Sequence, residues 1–162
     1  PVGRALFGDH PLAGVYFQRR MEREAFSRTG SYNAPVQRLE DFLAGRKSTF
    51  FGEVKPTYPG AALAECKGIL PAAAEETLKA AVTDMDRRLK GFASPDAVIT
   101  FPESRTSSPV RIERDNRCRS ISADNLYPAG EGAGYSGGIT SSAADGLRVA
   151  DAIVERLLNG ED

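Results

Sequence analysis

The sequence predicts an α+β fold, and three observations predict it. Through the first ninety residues apolar positions recur at helical spacing between Gly/Pro breaks. After Pro95 the spacing shortens toward two, and a long amphipathic pattern closes the chain. The expected architecture is a helical amino-terminal part, then a small β-sheet drawn from residues 97–129, then a long carboxy-terminal helix docked on it.

The elements follow in order. Pro11 to Arg28 places Leu12, Val15, Tyr16, Met21 and Ala25 against Arg19, Arg20, Glu22, Arg23 and Glu24; Pro11 suits a first helical turn and Thr29-Gly30 a stop. Pro35 to Ala44 repeats the device with Val36, Leu39, Phe42 and Leu43, ended by Gly45. Residues 46–60 hold Pro56 and Pro59 and read as a loop with one short strand at Thr49–Phe51. Pro71 to Leu89 is the clearest early helix, with Ala74, Leu78, Ala81, Val82, Met85 and Leu89 on one face and Gly91 beyond. Three strands are expected next: Ala97–Phe101, the alternating Val110–Arg114, and Asn125–Ala129. From Ile139 a helix with Ala143, Leu147, Ala150, Val154 and Leu157 in one stripe runs to Asn159-Gly160.

Composition sets the class. The 162 residues suffice for a real core, and 41% hydrophobic with 27% charged residues is ordinary for a globular chain. A net charge of −1 supplies no global field for nucleic acid or an anionic membrane, and no apolar run approaches the roughly 20 residues of a membrane span. Neither partner is expected. Two isolated cysteines, Cys66 and Cys118, form no disulfide framework and no metal-ligand spacing, which points to a reducing, cytoplasmic setting. The start at Pro1 is neither a signal peptide nor an initiator Met, so the chain reads as the continuation of a longer gene product. The single histidine, His10, precedes a proline and reads as a surface or capping residue. Five arginines between Arg105 and Arg119, beside Glu103, Glu113 and Asp115, form either a solvated face or an anion contact.

The chemistry concentrates at residues 130–138, where five of nine residues are glycine, with a strand expected before and a helix after. Glycines permit positive φ and close ligand approach, while the helix start offers unpaired N–H groups and partial positive charge. The combination suits an anion or an electron-rich carbonyl. No Gly-Lys-Ser/Thr follows, which excludes a Walker loop. Gly132, Gly134 and Gly137 have the spacing of a dinucleotide fingerprint, yet only one helix remains beyond them instead of a βαβ unit. The alternative is a glycine turn shaped only for packing. Arg105 with Thr106, Ser107 and Ser108 offers donors for a carboxylate or carbonyl, or else is a polar loop.

Gly130-Glu131-Gly132-Ala133-Gly134-Tyr135-Ser136-Gly137-Gly138-Ile139 with Ala144-Asp145-Gly146 resembles the closing motif of the NAD(FAD)-utilizing dehydrogenases, a family of FAD-dependent oxidoreductases. Glu103 to Ile112 is similar to that family's second signature, and His10 to Gly14, Gln18 to Phe26 and Ala34 to Gly45 are similar too. The resemblance covers nearly the whole chain but only the carboxy-terminal part of the family's plan, whose members begin with a dinucleotide fold. Ala129 stands where cysteine is common, Ser136 where alanine is, and Ser104 where threonine is.

The resemblance implies residues 1–94 in a substrate or cap domain and 95–162 in the FAD-binding domain. It implies FAD contacts from Gly130, Glu131, Gly132, Gly134, Gly137, Gly138 and Ile139, with Glu131 accepting from ribityl hydroxyls and the helix start facing the N1–C2=O edge of the flavin. Arg105 would line the active site. The intact protein would pass hydride through FAD between a small-molecule substrate and a donor such as NAD(P)H, whereas this part alone would be inactive, would not retain FAD, and would pair into a homodimer through the surface left bare. The competing class is a non-catalytic binding module whose glycine turn holds an anion; a purely structural interaction domain is the third.

Overall fold

The computed structural model describes residues 8–160, and the chain is an α+β protein. Among the described residues seven elements follow one another: α1 (Ala13–Thr29), β1 (Ala34–Arg38), α2 (Leu39–Ala44), β2 (Ala61–Leu63), α3 (Ala72–Arg88), β3 (Val98–Thr100) and α4 (Ile139–Leu158). Two compact units divide the chain: Arg19–Ser104 is one, and the described residues of Pro1–Gln18 with Arg105–Asp162 are the other. No helix among the described residues is long and apolar enough to cross a membrane.

The Arg19–Ser104 unit is built on a three-stranded sheet of order β2-β1-β3. β1 pairs in parallel with β2 from Ala34↔Ala61 to Val36↔Leu63, and antiparallel with β3 from Val36↔Thr100 to Arg38↔Val98. The expected helix at Pro35–Ala44 is therefore half strand. The i, i+3 spacing of Val36, Leu39 and Phe42 spans two elements, and a central strand covered on both faces shows no alternation to read. Gln37 is buried and satisfied, its Nε2 donating to Arg46 O at 2.6 Å and its Oε1 accepting from Cys66 N at 3.0 Å. Gly45 ends α2 in the left-handed conformation, φ 69, as its position predicted. Phe42, Ile69, Val36 and Cys66 form the centre of the core, and the Phe42 and Phe101 rings lie 5.5 Å apart.

The helices at Ala13–Thr29 and Ala72–Arg88 and the strand at Val98–Thr100 stand where the sequence put them, whereas the expected Thr49–Phe51 strand is loop. That loop is held by Asp96, whose Oδ2 accepts from Glu53 N at 2.7 Å and Val54 N at 3.0 Å.

In the other unit, Val110–Arg114 and Asn125–Ala129 are not strands, and Asn125 has a left-handed φ of 55. They find no ladder: the pairing is one bridge, Arg114↔Ser120, with Ile112 N donating to Ala133 O at 3.1 Å. The sheet is thus drawn from residues 34–38, 61–63 and 98–100, not from 97–129. The terminal helix α4 is long and amphipathic as expected, but it is inverted. Its buried and half-buried positions include Asp145, Val149, Ala152, Ile153 and Arg156, while the apolar stripe from Ala143 through Leu147, Ala150 and Val154 to Leu157 faces solvent. Leu147 is 70% exposed and Leu157 73%.

Candidate functional site

The glycine segment forms a closed turn ahead of α4. Tyr135 N donates to Gly130 O at 3.0 Å and Gly134 N to Glu131 O at 2.9 Å, so Glu131, Gly132 and Ala133 are carried on a loop with fixed ends. Gly130 and Gly134 have φ of 64 and 82, a conformation that side chains resist. At Gly134 the Val110 carbonyl and Arg111 occupy the space a Cβ would need. Gly132 differs: nothing lies within 4 Å of where its Cβ would stand, so no packing demand explains the glycine.

A latch that the spacing did not reveal clamps this turn to the helix behind it. The Asp145 carboxylate on α4 accepts from Arg114 Nη1 at 3.0 Å, from Arg114 Nη2 at 2.5 Å and from Gly130 N at 2.8 Å. Both side chains are largely buried, 5% and 12% exposed. The Arg114 hydrogen bonds, then the Gly130 amide, hold the Asp145 carboxyl at about 2, well below its ordinary 3.8. Arg114 also donates to Pro128 O at 2.7 Å and lies 3.6 Å from the Tyr135 ring centre, with Arg111 at 4.2 Å. Tyr135 Oη donates to Ile112 O at 2.9 Å. The arginine cluster is thus neither a uniform wet face nor one anion contact: Arg114 is structural, Arg111 stacks, and Arg119 pairs with Asp115.

Arg105, Glu131 and Gly132 meet at one small cleft of about 320 Å³, whose other walls are Gln18, Ser107, Ser108 and Pro109. Ser108 Oγ stands 2.9 Å from Val110 O and 3.2 Å from Gly132 O, tying the Arg105 loop to the glycine turn. Gln18 Nε2 donates to Ser107 O at 3.5 Å. Gln18 and Asp145 stood within the segments that carry the resemblance but were given no role, because a lone amide on a helix and a lone acid after a motif carry no spacing signal.

Gly134 stays in the turn's frame, apart from the cleft. Gly137 approaches the Arg105 loop, a Cβ there standing 3.3 Å from Ser107 Oγ. Gly138 is the N-cap of α4, extended at φ −144, and no side chain caps the helix among the described residues. Gly137, Gly138 and Ile139 are all exposed, Ile139 at 93%. Main-chain donors, a helix dipole, an apolar side chain and one carboxylate therefore lie along one accessible run of chain. Such a set suits an anion or an electron-rich carbonyl.

The first described segment also packs against this unit, since Gly14 lies against Pro109, whose carbonyl would stand 2.6 Å from a Cβ. His10 Nδ1 accepts from Leu12 N at 3.0 Å, which is a capping role.

A family model described as "FAD-dependent protein, C-terminal domain-like" matches residues 2–106, which includes Arg105 and stops short of the glycine turn. An uncharacterised protein of Clostridium beijerinckii (strain ATCC 51743 / NCIMB 8052) is 46% identical over 151 residues, covering 92% of this chain. The chain spans 28% of the length of that relative.

Proposed function

Because this chain belongs to the FAD-dependent protein, C-terminal domain-like family, we propose that it supplies one wall of the flavin site of an FAD-dependent oxidoreductase. One observation carries the reading: Arg105 and Glu131, singled out for separate reasons, line one cleft with Gly132, and an uncapped helix start follows on the same run of chain.

The residues fit the group. Gly132 leaves open space where any other residue would place a side chain, and the amides at the start of α4 have no intrahelical partner. Glu131, acceptor-only when ionised, would take hydroxyl hydrogen bonds. The N–H groups that follow Gly138 would stabilise negative charge on a bound flavin, and the exposed Ile139 side chain would offer it an apolar contact. Arg105 would orient a substrate carboxylate or a flavin carbonyl through its paired donors. When bound, FAD supplies the hydride chemistry between a small-molecule substrate and a donor such as NAD(P)H. The Arg114–Asp145 latch positions the whole run without touching the ligand.

Residues 95–162 would belong to the FAD-binding domain and residues 1–94 to the substrate or cap domain. The solvent-facing stripe of α4 would seat on the remainder of a longer, cytoplasmic enzyme, and this chain alone would neither turn over substrate nor keep FAD. The full-length protein provides the test. It should purify yellow, and Glu131→Ala or Gly138→Asp should lower its flavin content while leaving its circular dichroism unchanged. A colourless full-length protein, or variants that keep full flavin occupancy, overturns the reading.

A further inference from the structure

A second and larger cleft, about 660 Å³, lies wholly within the Arg19–Ser104 unit. That volume is in the range that takes a small molecule. Four rings line it, those of Phe26, Tyr32, Tyr58 and Phe101, with no Leu, Ile, Val or Met, in a chain that is only 8% aromatic. We propose that this cleft binds an uncharged aromatic compound, a ring system carrying a hydroxyl or carbonyl group.

The rings stand on fixed backbone. Phe101 is buried, its ring 5.5 Å from that of Phe42 in the core. Phe26 and Tyr32 meet edge to face at 5.2 Å. Tyr32 is 95% exposed, yet its turn is held on both sides. Thr29 Oγ1 stands 2.9 Å from Ser31 O and 3.1 Å from Asn33 O, and Asn33 N donates to Ser31 Oγ at 3.2 Å. Tyr58 is 55% exposed, and its ring lies 3.7 Å from where a Cβ at Gly60 would stand. Gly60 is itself tied to β1, its carbonyl accepting from Ala34 N at 2.5 Å. Rings displayed in this way lose little freedom when they capture a ligand.

The lining chooses the ligand by shape and ring chemistry, not by charge. Aromatic pairs add edge and face attraction to the burial of area, so ring walls favour a ring over an aliphatic body of equal size. Glu22 is already engaged, with Ser104 Oγ donating to its Oε1 at 2.9 Å, and Glu103 is exposed to solvent. The remaining polar lining, Asn33, Thr57 and the tyrosine hydroxyls among it, is neutral and suits a hydroxyl or carbonyl. The proposal does not rest on the flavin reading, because no residue of the glycine turn lines this cleft.

The test is ring-selective binding to the full-length protein, labelled with 3-fluorotyrosine and followed by fluorine NMR. The probe 2-naphthol should shift the signals of Tyr32 and Tyr58, assigned by Tyr32→Phe and Tyr58→Phe, and should saturate at about 1 mM or below. Its saturated counterpart, decahydro-2-naphthol, should bind roughly three- to tenfold more weakly. Tyr58→Leu, which keeps apolar area and removes a ring, should weaken 2-naphthol several-fold and leave the saturated probe nearly unchanged. Equal affinity of the two probes, no saturable shift at millimolar probe, or shifts confined to Tyr16, Tyr127 and Tyr135 would each overturn the proposal. The wild-type probe pair decides the matter even if a variant fails to fold.

Discussion

Replacing Asp145 by alanine tests whether the glycine turn is held by its latch. Asp145 accepts two hydrogen bonds from a guanidinium that is 5% exposed and one from the Gly130 amide. Removing it leaves Arg114 buried with only the Pro128 carbonyl and the Tyr135 face, so the expected loss is about 2–4 kcal/mol. The pH dependence gives an independent magnitude. The folded carboxyl titrates at about 2 against an ordinary 3.8, and at about 1.4 kcal/mol per unit the ionised latch contributes roughly 2 kcal/mol. A depressed carboxyl pKa stabilises above the unfolded value and loses its effect as pH falls. The difference between wild type and Asp145→Ala should therefore be full at pH 6–7 and shrink from about pH 4 toward pH 2. Urea unfolding followed by tyrosine fluorescence measures it, and hydrogen exchange at the Gly130 amide reports the local opening. Replacing the pair together, Arg114→Met with Asp145→Leu, should recover much of the loss, since no charge is left buried. An Asp145→Ala protein as stable as wild type at pH 7, or a deficit that persists undiminished at pH 2, refutes the reasoning.

Four further outcomes are expected. Gly134→Ala should cost about 2–4 kcal/mol, because φ is 82 and the Val110 carbonyl occupies the Cβ position, while Gly132→Ala should stay within about 1 kcal/mol of wild type; thermal unfolding separates them, and flavin content of the full-length protein should fall with both. Cys66 is buried and its thiol is pushed up to about 12 by desolvation, so it should resist a thiol reagent at pH 8 until urea is added. Phe42→Ala removes a ring that is 2% exposed and should cost about 3–5 kcal/mol in a denaturant titration. The bare stripe of α4 should make the isolated chain self-associate, and Leu147→Glu with Leu157→Glu should return it to a monomer in light scattering.

What was legible in the residues is what local rules decide. Helix α3 carries its own stripe and its own basic last turn in Arg87 and Arg88, and it came out within a residue of expectation at each end. Gly30 and Gly45 marked helix ends because the left-handed conformation that makes the stop suits glycine. What failed was set by partners distant in sequence. Pro35-Val36-Gln37 is a strand because Ala61–Leu63 and Val98–Thr100 pair with it, and no window of ten residues contains that information. Val110–Arg114 has the alternation of a strand, yet among the described residues its β-pairing stops at a single bridge, Arg114↔Ser120.

The inverted terminal helix sharpens the same point. Its stripe was read correctly from the sequence, yet the face that docks in this chain carries Asp145, Val149 and Arg156. A helix whose better apolar face stays wet carries information about contacts outside the chain. Burial of that face is worth about 25 cal/mol per Å², and among the described residues most of that stabilisation is left undrawn, with Leu147 70%, Val154 52% and Leu157 73% exposed. The polar face, by contrast, works locally. Asp145 fixes the turn that presents Glu131, and Arg156 Nη1 reaches Asn125 Oδ1 and Tyr127 Oη at 2.9 and 3.0 Å. On the proposed reading one helix would serve two bodies, its acidic edge shaping the candidate flavin wall and its apolar edge facing the remainder of a longer enzyme.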